Sequence, residues 1–373
     1  MSEVELTRGE QRAAWRRQVV EEVLWPEQRI CDAHHHLWHH EQERYLAAEF
    51  LADITDGHNV RQTIYAECIE GYRTDGPEEL RPLGETEFVL AQDETLARAL
   101  GRPVITGIVG HADLCLGSRV RAVLEAQVAL SAGRFRGVRH ATAHDPSPAI
   151  VAHQAGPPAG LMADADFIDG VRTLGAMGLT YDAWLYHPQI PELIALARAV
   201  PETVIVLDHL GAPVGIGPYA GQREAILAYC REQLAELAGL PNVRLKLGGI
   251  GMTLYGNGWH RREQPPGSVE IAADWGDHIR WCIDTFGPER AMFESNFPPD
   301  GRSVSYRTLW NAFKRIAEHA VERQHGHLRD IAFGNARPPI NQGGTCPPHI
   351  CRTFASAPSA TGNISACSAQ PFS

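Results

Sequence analysis

Eight short apolar, β-branched runs alternate with segments of helical periodicity along most of this chain, and that alternation constrains the fold more than any other feature. The strand candidates are Arg29–His34, Gln62–Ile69, Val104–Gly110, Arg134–Ala141, Thr180–Tyr186, Thr203–Asp208, Val243–Gly248 and Ala291–Asn296. Between them the spacing predicts helices over Glu85–Leu100, Arg119–Ala132, Asp164–Met177, Pro191–Ala199, Glu224–Ala238, Ala272–Phe286 and Ser305–Ala320, with a weaker one near Leu46–Asp56. Strands that alternate with helices must pair in parallel through crossovers, and eight repeats close into an α/β (β/α)8 TIM barrel. An open doubly wound sheet is the rival, but the first strand is not followed by the Gly-rich loop that a dinucleotide fold needs.

Three regions are expected. Residues 1–28 form a helical extension, whose polar helix over Arg8–Leu24 is better read as a plain packing helix than as a cap on the barrel floor or a partner subunit; residues 29–337 form the barrel. Residues 338–373 contain no Asp, Glu or Lys and hold three of the eight cysteines. Such a segment cannot build a core and reads as a disordered tail, as though the reading frame had shifted after FGNAR.

A formal charge of −11 and the lack of any basic block argue against nucleic acid and anionic membranes as partners. The charged N-terminus has no apolar signal core, and no long apolar run follows it, so a cytoplasmic protein with a small-molecule substrate is expected. A homo-oligomer is compatible with this. The scattered cysteines, without a CxxC pair, read as reduced packing residues.

Chemistry concentrates at strand ends. In Asp32-Ala-His34-His35-His36-Leu-Trp38, residues two apart share a strand face, so His34 and His36 can converge on one ion or substrate while His35 turns away. VLDHLG puts His209 beyond strand six as ligand or acid–base group, and WLYHP ends strand five with His187. In FESNFP, Glu294 and Asn296 are expected on one face by period two. Arg139 and His140 end strand four, where an arginine fork suits a substrate carboxylate. Glu67 near the end of strand two needs a partner or a function. Tyr72, Trp184 and Trp259 are candidate pocket walls. Long connections over 71–84, 143–158 and 249–268 are expected to shape the pocket.

Taken in order, DAHHHLW, VLDHLG, FESNFP and the final GNA resemble the second amidohydrolase family, which includes sugar lactonases and pyrone-dicarboxylate hydrolase. The resemblance runs from about Arg29 to Arg337. It implies that His34, His36, His187 and His209 surround the reacting carbonyl, and that Asn296 replaces the family's eighth-strand aspartate. Because asparagine cannot accept water's proton, Glu294, then Glu67, are the candidate replacements for the general base. The chain has only two lysines, Lys246 and Lys314, and neither is placed to bridge two metals from strand four. One divalent ion, zinc or manganese, held by His34, His36 and His209 is the expected cofactor, with a metal-free route left open. The expected reaction is opening of a lactone of a small acidic molecule. Alternatives are metal-assisted decarboxylation of an aromatic or unsaturated acid, and a degenerate barrel that only binds.

Overall fold

Apolar residues fill both faces of the strand segments, the pattern of a parallel sheet covered by helices. In a computed structural model of the chain these segments are β1 Arg29–His35, β2 Asn59–Ala66, β3 Ile105–Gly110, β4 Phe135–Arg139, β5 Thr180–Ala183, β6 Ile205–Leu207, β7 Val243–Leu247 and β8 Ala291–Phe293. The structure describes residues 8–40, 43–150 and 156–323. All eight strands pair in parallel, each with its neighbour in sequence. The ring closes where His35 bridges Phe297: His36 N–H donates to Phe297 O at 2.7 Å and Asn296 N–H to His34 O at 2.9 Å. The molecule is a (β/α)8 barrel. Helices Leu83–Leu100, Arg223–Ala238 and Ser268–Phe286 are among those that cover the sheet.

Most strands stop short of their predicted C-terminal ends, β5 at Ala183 and β8 at Phe293, because the backbone beyond them leaves the sheet to form the barrel mouth. Ala33, Ile64, Val109, Val206 and Met292 form an apolar cluster of their own, separate from the larger core. Val206 precedes Asp208 by two residues and Met292 precedes Glu294 by two, so strand alternation sets this apolar plug beneath the charged groups of the mouth. Burying each of its larger side chains contributes about 1.5–3 kcal/mol, and the plug excludes water from below the site.

The leader is not a floor cap. Its helix covers only Arg8–Arg16, and Arg16 Nη1 donates to Gly301 O at 2.6 Å while Trp15 Nε1 donates to Arg262 O at 3.0 Å. Both acceptors lie in loops that follow β7 and β8, so the leader starts at the mouth. It then descends the outer wall. Ser268 N–H donates to Glu21 Oε1 at 2.6 Å, and Lys314 Nζ donates to Leu24 O at 2.6 Å, Trp25 O at 3.0 Å and His58 Nδ1 at 3.0 Å. One of the chain's two lysines is thus the clasp that holds the leader. Among the described residues Cys31, Cys68, Cys115, Cys230 and Cys282 are free thiols, and no helix is long and apolar enough to cross a membrane. The tail at 338–373 and the GNA motif lie outside the described residues.

Candidate active site

The first strand carries an extra residue between Asp32 and His35 relative to β2, and such bulges re-aim side chains next to a site. Asp32 is fastened outward, accepting from Ser295 N–H at 2.8 Å and Tyr306 OH at 2.9 Å. His35 also turns away, bonding Thr63 Oγ1 at 3.0 Å and stacking on Phe50. His34 and His36 converge inside, their Nε2 atoms 3.0 Å apart. His36 Nδ1 is held by Ala66 O at 2.8 Å. Burial keeps both rings neutral far below the usual histidine range, reinforced by Lys246 beside His34 and by Arg139 beside His36.

Strand six is followed, after Asp208, by four consecutive residues with left-handed backbone: His209 at φ 55°, Leu210 at 57°, Gly211 at 72° and Ala212 at 44°. Non-glycine residues pay for that conformation, and here it breaks period-two alternation so that Asp208 and His209 both serve the site. His209 Nδ1 lies 2.6 Å from Glu294 Oε1, which also accepts His209 N–H at 3.2 Å. The carboxylate fixes the imidazole's orientation and leaves Nε2 for chemistry. Tyr255 OH bonds His209 O from behind, and Trp184 packs edge-on at 5.1 Å.

Lys246 stands at the centre with no solvent exposure, 2.5 Å from Asp182 Oδ2, 2.9 Å from Asp208 Oδ1 and 3.0 Å from His34 Nδ1. Burial, the largest single influence, would raise the Asp208 carboxyl, but Lys246, His34 and His209 together outweigh it and hold that group well below the usual range. Asp182 goes the other way, pushed by burial up to about 6 against the pull of Lys246. For this shared pair we take Asp208 as the ammonium's main counter-charge. Sequence reasoning missed Asp182 and set Lys246 aside. The signal was there: Asp182 is a lone charge inside the apolar TYDAWLY, and Lys246 sits between two leucines in VRLKLGG, where a charge needs a partner.

Arg139 is not a free carboxylate fork. Its Nε donates to Glu67 Oε1 at 2.8 Å and Nη2 bonds Glu67 O, while Nη1 lies 3.3 Å from His34 Nε2 and 3.7 Å from Asp208 Oδ2. Glu67 is therefore the arginine's partner. Asn296 does not share a strand face with Glu294: β8 has ended, Asn296 has φ 49°, and its Nδ2 donates to Asp300 Oδ1 at 2.8 Å. Asparagine tolerates the left-handed region better than most residues, which gives it a structural reason to be there. His187 is set apart from the His34 group, its Nδ1 accepting Val214 N–H at 3.2 Å and its ring against Tyr219 at 5.0 Å. His140 likewise accepts Leu114 N–H at 3.1 Å and packs on Phe167. Tyr72 meets His111 at 6.4 Å, and Trp259, 1% exposed, belongs to the apolar core.

A second buried carboxylate supports the β2 loop. Glu85 Oε1 accepts Tyr65 OH at 3.0 Å, Cys68 N–H at 2.7 Å and Glu70 N–H at 3.1 Å, gripping the backbone around Ile69, whose φ is 66°. Burial, then nearby Glu67, push Glu85 from 4.5 up to about 8. An unfolded Glu85 loses its proton near pH 4.5 while the folded one keeps it to about 8, so this group's contribution to stability falls as pH rises through that window. Glu85→Gln should match the wild type in chemical denaturation at pH 4 and exceed it at pH 8.5. Parallel curves for the two proteins across that range would refute the assignment.

The donor set also suits a divalent ion. Two imidazole nitrogens 3.0 Å apart can both reach a zinc ion at roughly 2.0–2.1 Å, and His34, Asp208 and His209 present ligand atoms within 4.8 Å of one another. Both Asp208 oxygens and Glu294 Oε2 are buried without a hydrogen bond. Four carboxylates, those of Glu67, Asp182, Asp208 and Glu294, face two cations, Arg139 and Lys246. A dication would balance that formal excess.

A family model described as amidohydrolase matches residues 31–337. The L-fucono-1,5-lactonase of Burkholderia multivorans is 28% identical over 303 residues, covering 77% of this chain and 88% of that protein. The protein of the same name from Burkholderia ambifaria is 27% identical over 286 residues, covering 72% and 79%. A crystal structure of an amidohydrolase from Burkholderia multivorans with bound zinc aligns with a TM-score of 0.57 at 25% identity, over 82% of this chain and 95% of that one.

Proposed function

Since this chain belongs to the amidohydrolase family, we propose that it is a hydrolase that opens a lactone, with His209 as general base. The observation that carries the reading is the Glu294–His209 pair, 2.6 Å apart, directly beside the His34–His36 pair. Glu294 holds the proton on His209 Nδ1, so Nε2 is the free base. It takes a proton from water as the oxygen bonds the ring carbonyl carbon. The tetrahedral intermediate then breaks the ring C–O bond, and the same proton passes to the departing alkoxide. The hydroxy acid formed ionises and releases one proton to the medium. Arg139, kept charged by Glu67, turns Nη1 toward His34, where a developing oxyanion gains from nearby positive charge.

A divalent ion would be held at His34, with donors from its neighbours His36 and Asp208; the cluster also contains His209, which this reading keeps as the base. When bound, it supplies Lewis-acid polarisation of the carbonyl and lowers the pKa of bound water toward ~7. The names of the lactonase relatives and the zinc-bound neighbour support this reading.

The geometry revises the expected substrate charge. With Arg139 engaged and, in the absence of a dication, carboxylates in formal excess, a carboxylate on the substrate meets repulsion rather than a fork. Neutral, hydroxylated lactones of the sugar type fit better, since the unbonded Asp208 and Glu294 oxygens can accept their hydroxyls. A proton-release screen, run with and without added Zn²⁺ or Mn²⁺, should give kcat/KM at least about tenfold higher for neutral lactones than for carboxylated ones. Preference for a dicarboxylate would overturn the charge argument. Release of carbon dioxide, or no turnover at all, would overturn the lactonase reading.

A further inference from the structure

An ammonium has three donors and no acceptor, and three acceptor groups surround Lys246: it donates to Asp182 Oδ2, lies in ion contact with Asp208 Oδ1 at 2.9 Å, and donates to His34 Nδ1. The third contact carries information about His34. A ring nitrogen that accepts from an ammonium presents its lone pair, so a neutral His34 keeps its proton on Nε2. His36 reaches the opposite state, because Nδ1 donates to Ala66 O and Nε2 is left as the acceptor. The two Nε2 atoms at 3.0 Å are then complementary, His34 donating and His36 accepting. Arg139 Nη1 lies farther from His34 Nε2, at 3.3 Å, and is already paired with Glu67, so its contact is the one this tautomer gives up.

We propose that Lys246 is an internal cation that locks His34 in the Nε2–H tautomer and competes with a divalent ion for the His34–His36 pair. This rests on the reading of that pair as the centre of the active site. For His34 to offer Nε2 to an ion, its proton must move to Nδ1. Acceptors are in place there, Glu294 Oε2 at 3.4 Å and Asp208 Oδ1 at 3.7 Å, but Lys246 must first release the nitrogen. Charge would act in the same direction, since an ion held by His34 and Asp208 would share both residues with the ammonium. Lys246 is a positioning residue, acting through His34 and Asp208, and it tunes how strongly the site holds metal.

Side-chain ¹⁵N NMR of the metal-stripped wild type tests the tautomers directly, and His34 should be protonated at Nε2 and His36 at Nδ1. Zinc titration by calorimetry tests the competition: Lys246→Met should bind zinc at least about tenfold more tightly than wild type, in the range over which groups supporting a metal ligand act. On zinc binding, the wild-type His34 proton should appear on Nδ1. A stripped wild type with His34 protonated at Nδ1 overturns the proposal, as does a folded Lys246→Met variant with unchanged zinc affinity. The wild-type spectrum needs no variant, so a misfolded Lys246→Met leaves the test standing. Neither readout uses turnover; inactivity on every lactone with the stated tautomers would refute the proposed function and leave this inference intact.

Discussion

His209→Asn should lower lactone turnover by roughly 10³-fold or more while leaving the fold in place, because a general base contributes about 10²–10⁴ and asparagine is suited to the backbone at this position. His209 has φ 55°, where alanine or a β-branched residue would add strain and confuse loss of chemistry with loss of structure. Glu294→Gln should cost about 10²–10⁴ by a different route: an amide can donate to Nδ1 and favour the tautomer with its proton on Nε2, which is no base. The double variant should be little worse than His209→Asn alone, since the two act as one unit. Proton-release kinetics on a neutral lactone give all three values. If the single losses multiply in the double variant, the pair does not work as a unit, and if His209→Asn keeps turnover within tenfold, the base lies elsewhere.

Glu67→Ala should destabilise the protein by about 3–5 kcal/mol, the usual effect of removing one partner of a buried ion pair. Arg139 is 6% exposed and Glu67 1%, so truncation strands a guanidinium where water cannot replace the lost carboxylate. Replacing both, as Glu67→Met with Arg139→Met, should recover much of the loss, because an apolar pair fills the space without a stranded charge. Urea denaturation of the two variants decides the matter. A loss below 1 kcal/mol for Glu67→Ala would mean that Arg139 is solvated or re-paired, and the assignment of Glu67 as its counter-ion would fall.

Of the site, the pieces legible in the sequence were those whose meaning depends on one strand. His34, His35 and His36 sorted correctly into two inward rings and one outward ring by alternation. Residues whose roles depend on a partner far along the chain were read in isolation and misjudged. Arg139 reaches Glu67 from two strands away, and Lys246 meets Asp182, likewise two strands away. Asn296 was placed by a strand periodicity that had already ended, and Asp208 was passed over beside His209 because nothing local announces the left-handed run 209–212.

What the amino-acid sequence by itself determined is the barrel, its strand order and the end at which chemistry sits, because hydrophobic periodicity is a local property and parallel crossovers permit few ways to close it. What only the tertiary structure decided is the charge economy of the mouth: which acid pairs with which base, which arginine is spoken for and which lysine is central. Those pairings form between strands, over distances in sequence at which no periodicity survives, and the dry interior makes each of them decisive for the protonation state of its neighbours.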